Sequence, residues 1–334
     1  SLFMVTLDDI TEVKQPQVNR EAFNYSNHIW YEKAVSLVVT SSGTCGINFE
    51  HSFSDSGPAH MMASTVYKHA VKLYQNGEVS TSWNPGSTAK SDNVEAFQWT
   101  LDNHIQEQLS NANQQFHIKL QNKQAVDITI DGVGSSQCKQ LGVSPDAFFQ
   151  IGLAEALFKW HNRIPFSLET IDSRMFKNSR LFVVPTLTAE LVEYLSSDNT
   201  SNRKDLLKQA IMSHKSLLQH NMDKQGFYLF FSLFLLNELG LRDKLPHSFT
   251  QTELYQQLYS FDCVSSNVGD FYGIDEVLSG FPAQHEQGML VVGYIIKEDR
   301  LFVTITSNDH TKSLDILAEY LKTCIQENYQ ALNQ

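Results

Sequence analysis

The chain has 334 residues, 42% of them hydrophobic, and a formal net charge of −12. The length allows two modest domains or one large one, and the apolar share excludes wholesale disorder. The acidic balance, with a sequence pI near 5.4, argues against nucleic acid as a partner, because phosphate backbones call for clustered Lys and Arg. It leaves room for an anionic co-substrate held by a few local donors. Cys45, Cys138, Cys263 and Cys324 are scattered without a C-x-x-C pair. That pattern speaks against structural zinc or any other metal site and against a disulfide framework, and it favours a reducing intracellular compartment, cytoplasm or organelle matrix. The most apolar stretch, Phe227 to Leu236, is too short to span a bilayer, and no secretory signal is visible.

Residues 1–8 read as a strand already under way at the first residue, as though cut from something longer. After a polar loop, Val35 to Val39, a turn at Ser41-Ser42-Gly43, and Cys45 to Phe49 form a predicted β-hairpin. The hairpin delivers Glu50-His51-Ser52-Phe53-Ser54-Asp55 to a strand end. Met61 to Tyr74 has helical apolar spacing. Residues 76–93, rich in Ser, Asn, Gly and Pro, are the predicted linker, so the chain divides into 1–93 and 94–334. Val94 to Asn111 is predicted helical, and His117 to Lys119 opens a short strand region. Ser144-Pro145-Asp146 starts a strong helix: Ser caps, Pro fits the first turn, and Asp suits the positive end. That helix carries Phe149, Leu153, Ala156, Leu157 and Trp160 toward a core. Further helices are predicted over about 203–222 and 226–240, then a hairpin from Leu290 to Ile296 and Leu301 to Ile305, then a helix over about 312–329. Mixed strands and helices without an internal repeat imply an α/β or α+β layered architecture.

His51 and Asp55 stand four residues apart, a spacing that places both side chains on one face of a helix. A carboxylate beside an imidazole orients it and stabilises the imidazolium, which suits a general base near neutral pH. Twelve histidines make such a pair a common accident. Its context decides more.

Read in order, several segments resemble the carnitine/choline acyltransferase family. Phe3 to Asp9 looks like its strand ending in L-D-[DE], and Trp30-Tyr31-Glu32-Lys33 is similar to its W-[FY]-[DE]-K. Gly46 to Ser52 looks like G-x-N-x-E-H-S, with Asp55 on the acid that follows. Ser144 to Phe148 with Gln150 matches S-P-D-A-[FV]-x-Q. Arg174, Phe176 and Arg180 fit R-x-F-x-x-G-R, with Ser179 in place of the glycine. Val264-Ser265-Ser266-Asn267 resembles S-T-S-[QN]. The collinear matches cover nearly the whole chain.

The resemblance implies an α/β fold, with mixed sheets in a two-lobe, chloramphenicol-acetyltransferase-like architecture and the active site between the lobes. Residues 1–93 would be the later part of the first lobe, carrying the catalytic histidine; the rest of that lobe, as a separate chain or otherwise, would cover edges and apolar faces left open here. It implies direct acyl transfer without an acyl-enzyme: His51 takes the proton of the acceptor hydroxyl, or of the CoA thiol in reverse, and Asp55 orients it. Ser266 stabilises the oxyanion, a sound use of a hydroxyl donor, although Ser266 by itself reads as a turn serine. Acyl-CoA is implied as a co-substrate, with no tightly bound cofactor. Of the two lysines that meet the phosphate end of CoA in the family, Lys139 matches one and Ser135 replaces the other. Asp146 would sit near the adenine end, with Asn267 beside the same cofactor. The lost lysine either weakens CoA binding or means that the donor is the pantetheine of an acyl carrier protein, which has no 3′-phosphate. Lys139 alone reads equally well as a solvated loop lysine.

The acceptor site departs from the family. Leu168, Leu181 and Leu229 stand where the family's Tyr, Thr and Arg hold the carboxylate of carnitine, Thr170 replaces a serine, and Val264 replaces the first serine of S-T-S. A carboxylate among these residues would be desolvated and unpaired. The expected acceptor is therefore a less polar alcohol or one presented by a partner. Two other readings stay open: a non-catalytic relative that binds a ligand or partner through the cleft, and a thioesterase-like hydrolase in which His51 activates water.

Overall fold

The alternating pattern of Val35–Thr40 buries Ser36, Val38 and Thr40 and turns the intervening residues outward, as a strand with one covered face requires. The computed structural model describes residues 3–8, 30, 32–41, 43–52, 54–78, 98–121, 123–173, 177, 181–197, 200–223, 236, 239–240, 244, 246–252, 260–275 and 288–334. Strand β1 (Met4–Asp8) pairs in parallel with β2 (Val35–Thr40), which pairs antiparallel with β3 (Cys45–Phe49). The predicted first hairpin is therefore present. Phe3, Val5 and Leu7 are exposed on and beside β1, an edge of this three-stranded sheet. Helix α1 (Ser56–Gln75) follows β3 and buries only Ala59, Ala63 and Ser64.

The next helix corrects the sequence reading. Residues 98–102 are not helical, and α2 runs Asn103–Gln121. Asp102 sets its start, since Asp102 Oδ1 accepts the Ile105 N–H at 2.8 Å, which is how an N-cap satisfies an orphan donor. No breaker interrupts 111–121, so His117 lies on the helix rather than in a strand. The strand, β4 (Gln124–Asp131), begins later. The 93/94 boundary, most of the predicted linker, and all of the helix predicted over 226–240 except residues 236, 239 and 240 fall outside the described residues.

The second sheet has six strands in the order β4-β9-β8-β7-β5-β6. These are β4, β5 (Ser167–Asp172), β6 (Leu181–Pro185), β7 (Cys263–Asn267), β8 (Leu290–Ile296) and β9 (Arg300–Ser307). Strands β5, β7 and β8 run parallel in the centre, with antiparallel neighbours outside them. The α/β class, with mixed sheets in the two-lobe arrangement, agrees with the sequence expectation. The short helix α3 (Ser135–Gln140) precedes α4 (Pro145–His161). Ser144 Oγ accepts the Ala147 N–H at 3.4 Å, Pro145 occupies the first turn, and Asn162 in the left-handed region ends the helix.

Every residue from Ala147 to Leu157 is buried, more than the one-sided stripe predicted. A helix covered on all sides is the centre of its layer. Packed around it are α5 (Ala189–Ser196), a 3-10 turn (Thr200–Asn202), α6 (Arg203–Met222) and, at the chain's end, α8 (Leu314–Asn333); the short α7 (His247–Thr250) lies between α6 and β7 in sequence. Buried Glu155 on α4 joins these helices: it accepts from Tyr194 Oη (2.8 Å), Arg203 Nη2 (2.7 Å) and Asn328 Nδ2 (3.0 Å). Among the described residues, no helix is long and apolar enough to cross a membrane.

The β8–β9 turn is locked against the segment before α3. The Ser135 N–H donates to Lys297 O at 2.8 Å and Ser136 N–H to Glu298 O at 3.0 Å. A Cβ at Gly134 would lie 2.5 Å from Glu298 O and 2.6 Å from Arg300 N. Both are backbone atoms, so neither can swing aside. Gly134→Ala is expected to cost about 1–3 kcal/mol or more by overpacking, read as a lower denaturation midpoint with an unchanged m-value.

Candidate functional site

His51 lies just beyond β3, and Asp55 is the residue before α1. Their spacing does not place them on a helical face, because residues 50–52, 54 and 55 are not helical. The loop itself folds the two together. Asp55 takes the N-cap position in extended conformation, and its carboxylate does not cap the helix. It points instead to His51, with Asp55 Oδ1 4.0 Å from His51 Nδ1. That is an ion-pair distance rather than a hydrogen bond. Glu50 tightens the loop by accepting the Ser52 N–H at 2.9 Å and the Ser52 hydroxyl at 2.5 Å. His51 is 52% exposed and Asp55 12%: the imidazole is open to a ligand while the carboxylate beside it is covered.

An aromatic train leads from His51 to the second sheet. The Phe49 ring lies 5.6 Å from His51 and 6.1 Å from His60 on α1, and His60 stacks on Phe271 at 5.8 Å. Burial lowers the pKa of His60 below the ordinary imidazole value, against the Ser56 carbonyl that contacts its Nδ1. Tyr67 of α1 meets Tyr272 at 5.8 Å. Gly273, at φ +77°, leaves the space that the Tyr67 ring fills. Phe271 and Tyr272 follow shortly after Ser266, so α1 docks on the segment that leaves the end of β7. Between them is a cavity of 510 Å³ lined by Tyr67, Asp270, Phe271, Tyr272, Gly273, Asp275 and Lys297.

Ser266 sits on β7 between Thr170 of β5 and Gly293 of β8. Two register positions back, Val264 pairs with Leu168. Side chains two apart share a face, so Leu168, Thr170, Val264 and Ser266 line one side of the sheet. Leu168 is buried, while Thr170 and Ser266 are half-buried. On β6, Leu181 pairs with Asp172 and lies 40% exposed at the rim of that same face. Leu229, Arg174, Phe176, Ser179 and Arg180 lie outside the described residues.

The opposite face ties the two sequence motifs together. Asp146 Oδ1 accepts from Asn267 Nδ2 and from Tyr294 Oη, each at 2.8 Å. Gln150 Nε2 donates to Ser265 Oγ and to Tyr294 Oη, each at 2.9 Å. The Ser265 hydroxyl also donates to Leu168 O at 3.2 Å. Asp146 and Asn267, predicted to share a site, are therefore direct partners. Lys139 stands exposed on α3, with no hydrogen bond or ion pair to either of them.

Three side chains complete this face, and the sequence reading gave two of them no such role. Glu169, paired with Ser265 in register, is 3% exposed. His214 of α6 is 1% exposed, and its Nε2 lies 3.0 Å from Glu169 Oε2. Asp146, Glu169 and His214 offer ligand-type atoms within 4.8 Å of one another. The one signal for His214 was its place among Leu207, Ala210, Ile211 and Asn221 on the buried stripe of α6, a polar residue on an apolar face. Burial pushes Glu169 up to about 7; the His214 contact works against that rise and the negative Asp146 adds to it. Burial also holds Tyr294 well above the ordinary phenol value, so it remains a donor.

The model of the choline/carnitine O-acyltransferase family matches residues 1–324. The chain is 22% identical over 278 residues to the mitochondrial carnitine O-palmitoyltransferase 2 of Xenopus tropicalis, covering 80% of this chain and 40% of that protein. It is 27% identical over 189 residues to the choline O-acetyltransferase of Sus scrofa, covering 54% and 29%. The chain thus spans less than half the length of these curated relatives. Among solved structures, the trichothecene 15-O-acetyltransferase TRI3 of Fusarium sporotrichioides shares the fold, with a TM-score of 0.50, 14% identity, and coverage of 99% of this chain and 76% of that one.

The raised Glu169 value gives a signed expectation for stability. A carboxyl that the fold keeps protonated costs stability as pH climbs from the ordinary carboxyl range to about 7, and adds no further cost above that. The thermal midpoint of the native chain is expected to fall between about pH 5 and pH 8, and Glu169→Gln to flatten that fall. Calorimetry across the range checks it.

Proposed function

The chain belongs to the choline/carnitine O-acyltransferase family, and from that premise we propose that it moves an acyl group between a thioester, of CoA or of carrier-protein pantetheine, and a hydroxyl acceptor other than carnitine. His51 is the general base, Asp55 its orienting acid, and Ser266 the oxyanion donor. With Asp55 on the Nδ1 side, Nε2 is left for the substrate. Nε2 takes the hydroxyl proton as the oxygen attacks the thioester carbonyl. The C–O bond forms, the tetrahedral oxyanion accepts a hydrogen bond from Ser266 Oγ, and the C–S bond breaks. The imidazolium then returns its proton to the leaving thiolate. No acyl-enzyme is needed, and charge develops only where a donor faces it.

The observation that carries the acceptor reading is the register of β5 against β7. It sets Leu168 beside Val264 on the same face as Thr170 and Ser266. An acceptor on this face meets hydrocarbon where a carboxylate would need donors, and an unpaired charge there is costly.

The test is thiol release from acyl-CoAs of several lengths, with and without a panel of alcohols. Wild type is expected to release thiol in an alcohol-dependent way. His51→Ala should lower the rate by about 10²–10⁴-fold and Ser266→Ala by about 10²–10³-fold. Saturable, efficient acylation of carnitine would sink the acceptor reading. Release without any alcohol identifies a hydrolase, and no release from any donor, including acylated carrier protein, identifies a binding protein. Lys139→Ala separates the donors. If CoA is used, KM should rise for acyl-CoA but not for acyl-pantetheine. With a carrier protein, free CoA should be the poorer donor in wild type already.

A further inference from the structure

His214, Glu169 and Asp146 come from α6, β5 and α4, and nothing in the transfer step described above uses the first two. Both are more than nine-tenths buried. Neither ring nitrogen of His214, nor Glu169 Oε2, has an aligned hydrogen-bond partner among the described residues, although the two side chains approach to 3.0 Å. Buried polar atoms left this way call for an explanation. A buried carboxyl beside a half-buried one is disfavoured in the charged form unless a proton or a cation lies between them.

We propose that His214 is a positioning residue: its ring N–H holds a protonated Glu169, which donates to Asp146 and so fixes Asn267 and, through it, Ser266 for the transfer step. The proposal rests on Ser266 facing the reacting carbonyl. In this arrangement His214 Nε2–H donates to Glu169 Oε2, and the other Glu169 oxygen carries the proton toward Asp146. Asp146 already accepts from Asn267 Nδ2 and Tyr294 Oη, so the Glu169 hydroxyl is its third donor. One negative charge, on Asp146, then serves the whole unit, and each of the three side chains has a partner within it. The titratable groups that face Glu169 are Asp146 from α4, His214 from α6 and Tyr294 from β8. From β7 it meets Ser265, which does not titrate.

The chain of contacts reaches the reaction through one peptide. Asn267 follows Ser266, and its other amide atom, Oδ1, accepts the Gly269 N–H at 3.0 Å. The end of β7 is thereby held between Asp146 and the turn leading to Phe271. Losing the Glu169 proton sets its buried carboxylate against the half-buried Asp146 and loosens Asp146 from Asn267. The transfer rate should therefore fall as pH rises through about 7, where burial has placed Glu169. His214 opposes that upward shift, so its removal should move the alkaline fall to higher pH.

The experiment is the pH profile of kcat for thioester-to-alcohol transfer in wild type, His214→Leu, His214→Gln and Glu169→Gln, each checked for a cooperative thermal transition. The alkaline limb should shift upward in His214→Leu and return toward wild type in His214→Gln, which restores a donor. It should vanish in Glu169→Gln whatever the absolute rate. KM for the acyl donor should change less than kcat. Identical profiles in all four proteins overturn the proposal. So does a stoichiometric divalent metal on the purified wild type that Glu169→Gln loses, since the occupant between the carboxyl groups would then be a cation. An activity-free readout separates this proposal from the function it rests on. The protonated-carboxyl infrared band of Glu169 should disappear near neutral pH in wild type and be absent in Glu169→Gln. Loss of that titration with transfer intact overturns the proposal alone; a titrating band without any transfer overturns the assigned activity.

Discussion

The structure depends on the way α4 is bolted to the middle of the six-stranded sheet. Asp146 and Gln150, one turn apart, reach Asn267, Ser265 and Tyr294 on β7 and β8. Such bonds in a covered site are strong when complete and expensive when broken. They set the axial position of the helix against the strands. An apolar interface alone would leave that position less determined, because burial is not directional. The same bonds fix the strand end that carries Ser266.

The two faces of that strand divide the work. One face is sealed against α4 and α6 and holds the polar groups, Glu169, Ser265 and Tyr294 among them, with hydrogen bonds running between layers. The other presents Ser266 and Thr170 next to Leu168 and Val264. Alternation of period two makes this division automatic: Ser265 and Ser266, as neighbours, face opposite sides, so Ser265 joins the bonds to α4 while Ser266, the proposed oxyanion donor, faces the other way. In the proposed transfer, the apolar residues beside Ser266 would lower the local polarity around the thioester carbonyl and strengthen a hydrogen bond to the oxyanion.

His51 is held differently. Its loop is short and exposed, closed by Glu50 on Ser52 and by Asp55 at the start of α1. The link to the second sheet runs through rings, from Phe49 to His60 to Phe271. Stacked and tilted rings tolerate small shifts better than aligned hydrogen bonds do. His51 therefore rides on a joint more adjustable than the one holding Ser266.

Much of the fold was legible before any coordinates. The hairpin of β2 and β3, the cap at Ser144, the bounds of α6 and the β8–β9 hairpin all follow from signals that act within a few residues: alternation, capping side chains and turn residues. The α2 error has the same origin, since Asp102 was a cap signal in plain view. His51, Asp55, Ser266, Asp146 and Asn267 were singled out by motif spacing, and the structure brings Asp55 beside His51 and Asp146 onto Asn267. What the sequence could not determine were pairings across long separations. Gln150 meets Ser265 at a distance of 115 positions, and Leu168 meets Ser265 at 97. The 4.0 Å approach of His51 to Asp55 is made by a loop where spacing alone indicated a helix. The placement of His214 against Glu169 was decided by tertiary structure alone. A lone histidine on an apolar stripe carries no record of its partner, and only the packing of α6 across β5 brings the two buried groups into the same dry space.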